Sequence, residues 1–138
     1  MKTALVSVAL ALAFVGCASD PKEDAEKERE RSREEIRQML EEVIAAMKDN
    51  KPEVYHARLC RAEREAYPLE EMRKNWNESR EENAQAAASM QVKSVAPDQS
   101  NPNIATVLLS VPSDPRGNVM REAIREDGVW RIRNFPAK

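Results

Sequence analysis

Hydrophobic and polar positions divide the 138-residue chain into four regimes. Residues 4–15 form an apolar run behind Lys2, with Ser7 its one polar residue. That is the length of a secretory signal core and shorter than the roughly 20 residues a membrane-spanning helix needs. Residues 19–35 are dominated by Asp, Glu, Lys and Arg and carry no apolar stripe. Opposite charges recur there at i,i+3 (Glu26 with Arg29, Glu30 with Arg33) and like charges at i,i+4 (Glu26 with Glu30). The segment therefore reads as a solvated tether, helical or disordered, with nothing to pack. At Ile36 the pattern changes abruptly: Ile36, Met39, Leu40, Val43, Ile44 and Met47 fall on one face of a helix. Pro52 opens a second helix, with Tyr55, Leu59, Ala62 and Ala66 on one side. Pro68 opens a third, with Glu70 and Glu71 at its N-terminus and Leu69, Met72 and Trp76 on its apolar face.

After about Ala86 the period falls to two, and strands are expected at 90–95, 104–111, 119–126 and 129–135, the last two joined at Asp127-Gly128. Two registers compete for this hairpin. A two-residue Asp-Gly turn pairs Arg125 with Trp130 and mixes charge with hydrophobe on both faces. A three-residue turn beginning at Glu126 pairs Ile124 with Trp130 and gathers Met120, Trp130 and Ile132 on one side. Burial favours the second. Helices followed by a meander define an α+β fold: three N-terminal helices packed on a curved four-stranded antiparallel sheet, behind a leader and a charged tether.

The end of the apolar run changes its meaning. Phe14-Val15-Gly16-Cys17 resembles the lipobox of bacterial lipoproteins. The resemblance implies that the Cys17 thiol is alkylated by a diacylglyceryl group, that the chain is cut before it, and that the new amino terminus is acylated. A plain signal peptide is the competing reading. Stable attachment takes more than one acyl chain, and lipidation of this kind supplies several. Ala18, rather than an aspartate, follows the cysteine, which points to the periplasmic face of the outer membrane. The chain then divides into a signal peptide (1–16), a lipidated cysteine with tether (17–35) and a single α+β domain (36–138).

Once Lys2 is removed with the leader, the 24 acidic residues exceed the 21 remaining basic ones by three. That balance argues against a nucleic-acid partner, which calls for a clustered basic surface. Aromatics make up only 4% of the chain, so the core must be aliphatic. With Cys17 carrying lipid, Cys60 has no partner for a disulfide and reads as a small buried hydrophobe.

The helices-then-meander order, ending in Asp127-Gly128-Val129-Trp130-Arg131-Ile132, resembles the nuclear transport factor 2-like (cystatin-like) superfamily. It is similar above all to small bacterial lipoproteins of that fold, over roughly residues 36–138. The resemblance implies a conical pocket. His56 is the only histidine and has no second ligand at metal spacing, and the three glycines, at 16, 117 and 128, make no phosphate loop, so neither metal nor cofactor is expected. Glu122, which the favoured register sets between Met120 and Ile124, forms with Tyr55 and His56 the candidate pocket set. Two functions follow. One is a non-catalytic module holding an apolar ligand or an envelope protein at the membrane. The other is a small enzyme using the pocket with Glu122, His56 or Tyr55 as acid or base. The sequence favours the first, because catalysis needs convergent groups.

Overall fold

The computed structural model describes residues 20–133. Cys17, the leader and the expected end of the last strand at Phe135 lie outside the described residues. Within them are five helices followed by four strands: α1 Pro21–Lys48, α2 Pro52–Arg58, α3 Arg61–Ala66, α4 Leu69–Glu78, α5 Arg80–Ser89, β1 Gln91–Pro97, β2 Ile104–Ser110, β3 Asn118–Glu126 and β4 Val129–Arg133. The strands form one antiparallel sheet in the order β1-β2-β3-β4. The fold is thus α+β, with five helices where the sequence pattern suggests three.

The first helix starts at Pro21 instead of Ile36, so the charged segment is its N-terminal half. Local chemistry explains the extension. The Asp20 carboxylate caps the end by accepting from the Lys22 backbone N–H at 2.9 Å, Pro21 sits in the first turn, and Glu23 and Asp24 follow where the helix dipole favours acid. Repulsion between Glu26 and Glu30 is relieved by Arg33, which reaches both, at 3.1 and 2.7 Å. The expectation that this segment has nothing to pack is also corrected, since Ser32 is only 3% exposed. At the other end Asn50 takes a left-handed conformation (φ 55°) and the Lys51 N–H returns to the Ala46 carbonyl at 2.8 Å, closing the helix.

The expected second helix breaks in two because Leu59 and Cys60 are extended. Both are buried, Leu59 bridges in parallel to Ile132, and the Cys60 N–H donates to the Ile132 carbonyl at 2.8 Å. Ala62 and Ala66, expected on the buried side of one continuous helix, are exposed. The third expected helix is interrupted at Ser79, which separates α4 from α5.

The hairpin adopts the register that sequence burial disfavoured. Arg125 pairs with Trp130 and Ile124 with Arg131 across a two-residue Asp127-Gly128 turn, both turn residues having positive φ (52° and 78°). That geometry matches the twist of paired strands, and Asp-Gly supplies it readily. The inward face of β3 therefore carries Val119, Arg121, Ala123 and Arg125, while Met120, expected inside, is 56% exposed. The cost of turning Arg125 inward is met locally in part, although its Nε is buried without a partner. Its guanidinium stacks 4.7 Å from the Trp130 ring centroid and donates to Ser32 Oγ at 2.9 Å and to Glu28 at 3.1 Å. This contact fastens the charged half of α1 to the sheet. Around it, Ile36, Leu40 and Val43 of α1 and Met72 and Trp76 of α4 share one core with Val95, Ala105, Val107, Trp130 and Ile132.

Candidate functional site

A cavity among the described residues lies between the helices, away from the Arg125 clamp. Its volume is about 470 Å³, within the ordinary range for small-molecule sites. Met47 from the end of α1, Tyr55 from α2, Leu59, and Met72 and Trp76 from α4 build its apolar surface, and Tyr67 joins them from the turn between α3 and α4. Polar groups come from Glu63, Asn75, Ser79 and Asn83.

Each aromatic arrives by a traceable local cause. Pro52 starts α2, which sets Tyr55 one turn in, and Pro68 starts α4, which sets Trp76 two turns in. The Tyr55 and Trp76 rings meet at 5.0 Å between centroids and 58° between planes, a tilted arrangement suited to their quadrupoles. Tyr67 is held at both ends: its carbonyl faces His56 Nε2 at 3.0 Å, and its hydroxyl accepts from Asn75 Nδ2. Trp76 is 7% exposed, and its indole Nε1 is buried without a hydrogen-bond partner. A buried N–H in that state costs free energy until an acceptor reaches it.

The candidate set read from the sequence does not converge. Tyr55 lines the cavity. His56, on the same helix, serves instead to tie α2 to the Tyr67 turn. Glu122 is on the opposite, outward face of the sheet, because the observed register turns Ala123 inward, and there it pairs with Arg133 on the neighbouring strand. It still lies between Met120 and Ile124, but their shared face is the outward one and not the apolar side. Trp76, Met72 and Tyr67 are cavity-lining positions that sequence reasoning passes over, the first two falling simply on a core face. A signal was present: the chain has two Tyr and two Trp, and three of these four meet here.

Among the described residues no group of three or more His, Cys, Asp or Glu is placed to hold a metal ion, and no helix is long and apolar enough to cross a membrane. The arrangement offers an aromatic and thioether surface with an amide-rich rim. Such a surface can hold a flat or branched apolar molecule that carries an acceptor. The chain matches no family model, and no curated protein matches it.

Proposed function

We propose that the protein is a lipid-anchored binding module of the bacterial envelope, holding a small and largely apolar ligand in the aromatic cavity. The observation that carries this reading is the 470 Å³ cavity lined by Tyr55, Tyr67, Met72 and Trp76 with Asn83 at its polar side. The ligand that fits places its apolar body against Tyr55, Met72 and Trp76 and one acceptor toward the Asn83 amide. The anchor is the lipid on Cys17, and the location is the periplasmic face of the outer membrane. Support for it comes from the apolar run at 4–15 ending in Gly16-Cys17-Ala18. Kinship with the nuclear transport factor 2-like lipoproteins belongs to the same proposal, supported by helices preceding a four-stranded meander that closes at Asp127-Gly128.

Coumarin and naphthalene test the cavity, since both are flat and apolar and only coumarin carries a carbonyl acceptor. Calorimetric titration should show coumarin binding roughly fivefold to tenfold more tightly, the worth of one hydrogen bond. Asn83→Leu should remove that difference and keep the weaker binding. If neither compound binds, or if the preference survives in Asn83→Leu, the reading fails.

A further inference from the structure

The aromatic cavity has a neighbour. A second cavity, of about 230 Å³, lies between α1, α5 and the inward face of the sheet. Its surface is mainly aliphatic, made by Leu40 and Val43 of α1, Ala86 of α5, and Leu109, Val119 and Ile132 of the sheet. The two charges that border it, Asp114 and Arg121, are of opposite sign and attract each other, and Asp114 is held further by Arg116 Nη2 at 2.8 Å. The space between them and α1 thus suits hydrocarbon without a charge of its own.

A single layer of side chains divides this cavity from the aromatic one, since Met47 and Tyr55 line both. Along α1 the passage from one to the other takes one turn: Val43 lines the second cavity, and Met47, four residues on and on the same face, lines the two together. Nearer the sheet, Leu59 lines the first and bridges in parallel to Ile132, which lines the second. The two dividing side chains differ in stiffness. Tyr55 is braced by the Trp76 ring at 5.0 Å, whereas Met47 is half-buried and unbranched, with three rotatable bonds.

We propose that the two cavities are chambers of one site, and that its ligand is an uncharged molecule with a flat ring in the first and an unbranched aliphatic chain in the second, Met47 turning aside to let the chain pass. The proposal rests on the aromatic cavity being a binding site and adds the shape of what it holds. The chambers sort the two parts by chemistry. Tyr55, Met72 and Trp76 with the Asn83 amide suit a ring bearing an acceptor, and the lining of Val43, Leu109 and Val119 suits a chain. Displacing one methionine opens a passage about one side chain wide, which favours an unbranched chain. At the roughly 30 Å³ per water of the liquid, the second chamber has room for about seven non-hydrogen atoms, so a chain of about four to six carbons fits.

Coumarin, 4-butylcoumarin and 7-butylcoumarin share a ring and an acceptor, and the last two aim the same chain in different directions. Calorimetric titration of each, together with methyl NMR of the protein, tests the proposal. One of the butylcoumarins should bind about tenfold or more tighter than coumarin, since each buried methylene is worth about fourfold. That compound should also shift the methyls of Val43, Leu109 and Val119, which coumarin leaves in place. Ala86→Phe fills the second chamber and should return the butylcoumarin to the coumarin level, while the milder Ala86→Leu should remove part of the gain. Coumarin itself should bind both variants as it binds the parent, which shows that the fold and the first chamber are intact. With coumarin still bound, no gain from either chain, a gain without shifts at those methyls, or a gain that survives both variants would overturn the proposal and leave the aromatic site standing. Failure of coumarin to bind the parent protein would remove both.

Discussion

Replacing Arg125 with Ala separates the two hairpin registers and tests whether the charged half of α1 belongs to the folded body. In the observed register Arg125 is on the inward face, its side chain 19% exposed, stacked on Trp130 and bonded to Ser32. The stacking is worth about 1 kcal/mol and the hydrogen bond to Ser32 about 1 to 1.5 kcal/mol. The contacts with Glu28 and Glu35, whose side chains are 46% and 36% exposed, add only about 0.5 kcal/mol because water screens them. Arg125→Ala should therefore lose about 2 to 3 kcal/mol, a substantial part of the 5 to 15 kcal/mol typical of a domain. For a chain of this size that lowers the melting temperature by about 8 to 12 °C. Circular dichroism during urea and thermal unfolding gives the loss, and hydrogen exchange at the amides of residues 28–36 should quicken with it. In the alternative register Arg125 faces water, and its removal would change stability by less than about 0.5 kcal/mol. A loss that small, with unchanged exchange in α1, would refute both the register and the docking of the helix.

Cys17→Ser should abolish labelling by a fatty-acid analogue and release the protein from sedimenting membranes; a mutant that still labels would dismiss the lipid anchor. Trp130 is buried at the centre of the hairpin, so Trp130→Ala should cost about 3 to 5 kcal/mol, read from the urea midpoint. Deleting residues 21–27, all exposed and ahead of the Glu28 contact, should move stability by less than about 1 kcal/mol, whereas a deletion reaching Ser32 should cost more than twice that. The Arg116 guanidinium and backbone N–H hold the Asp114 carboxyl down at about 2, from an ordinary 3.8. Because the folded value is the lower one, the associated stability is present above pH 4 and is lost as pH falls toward 2. Arg116→Ala should return the value toward 3.8 in a carbon-detected NMR titration, and an unmoved titration would exclude Arg116 as the cause.

Helical periodicity at Ile36, Met39, Leu40 and Val43 was legible because a single face meets the core, and the strand cores at 104–110 and 119–126 were legible for the analogous reason. What escaped was set by partners distant in sequence. Leu59 and Cys60 read as helical until Ile132, more than 70 residues on, offers a backbone carbonyl and a bridge. Arg125 argued against its true register because its compensation comes from Ser32 and Glu28, on a segment that looked unable to pack anything. The same inversion displaced Glu122 from the candidate site. Tyr55 was found because it sits on a readable helix face, whereas the convergence of Tyr67 and Trp76 on it depends on how α2 and α4 are brought together.

The extended Leu59-Cys60 pair has a consequence for contact between copies. Under the lipid anchor proposed above, neighbouring copies would diffuse in two dimensions and collide at far higher local concentration than in free solution. Under those conditions an open strand edge becomes a template on which like chains zip together. Here β4 already meets Leu59 and Cys60 on its free side, and Arg131 spends a donor on the Ala57 carbonyl. At the other margin β1 is broken by an irregularity at Lys93 and ends in Pro97, which has no N–H to give. Among the described residues neither margin offers a continuous ladder on which a second copy could zip.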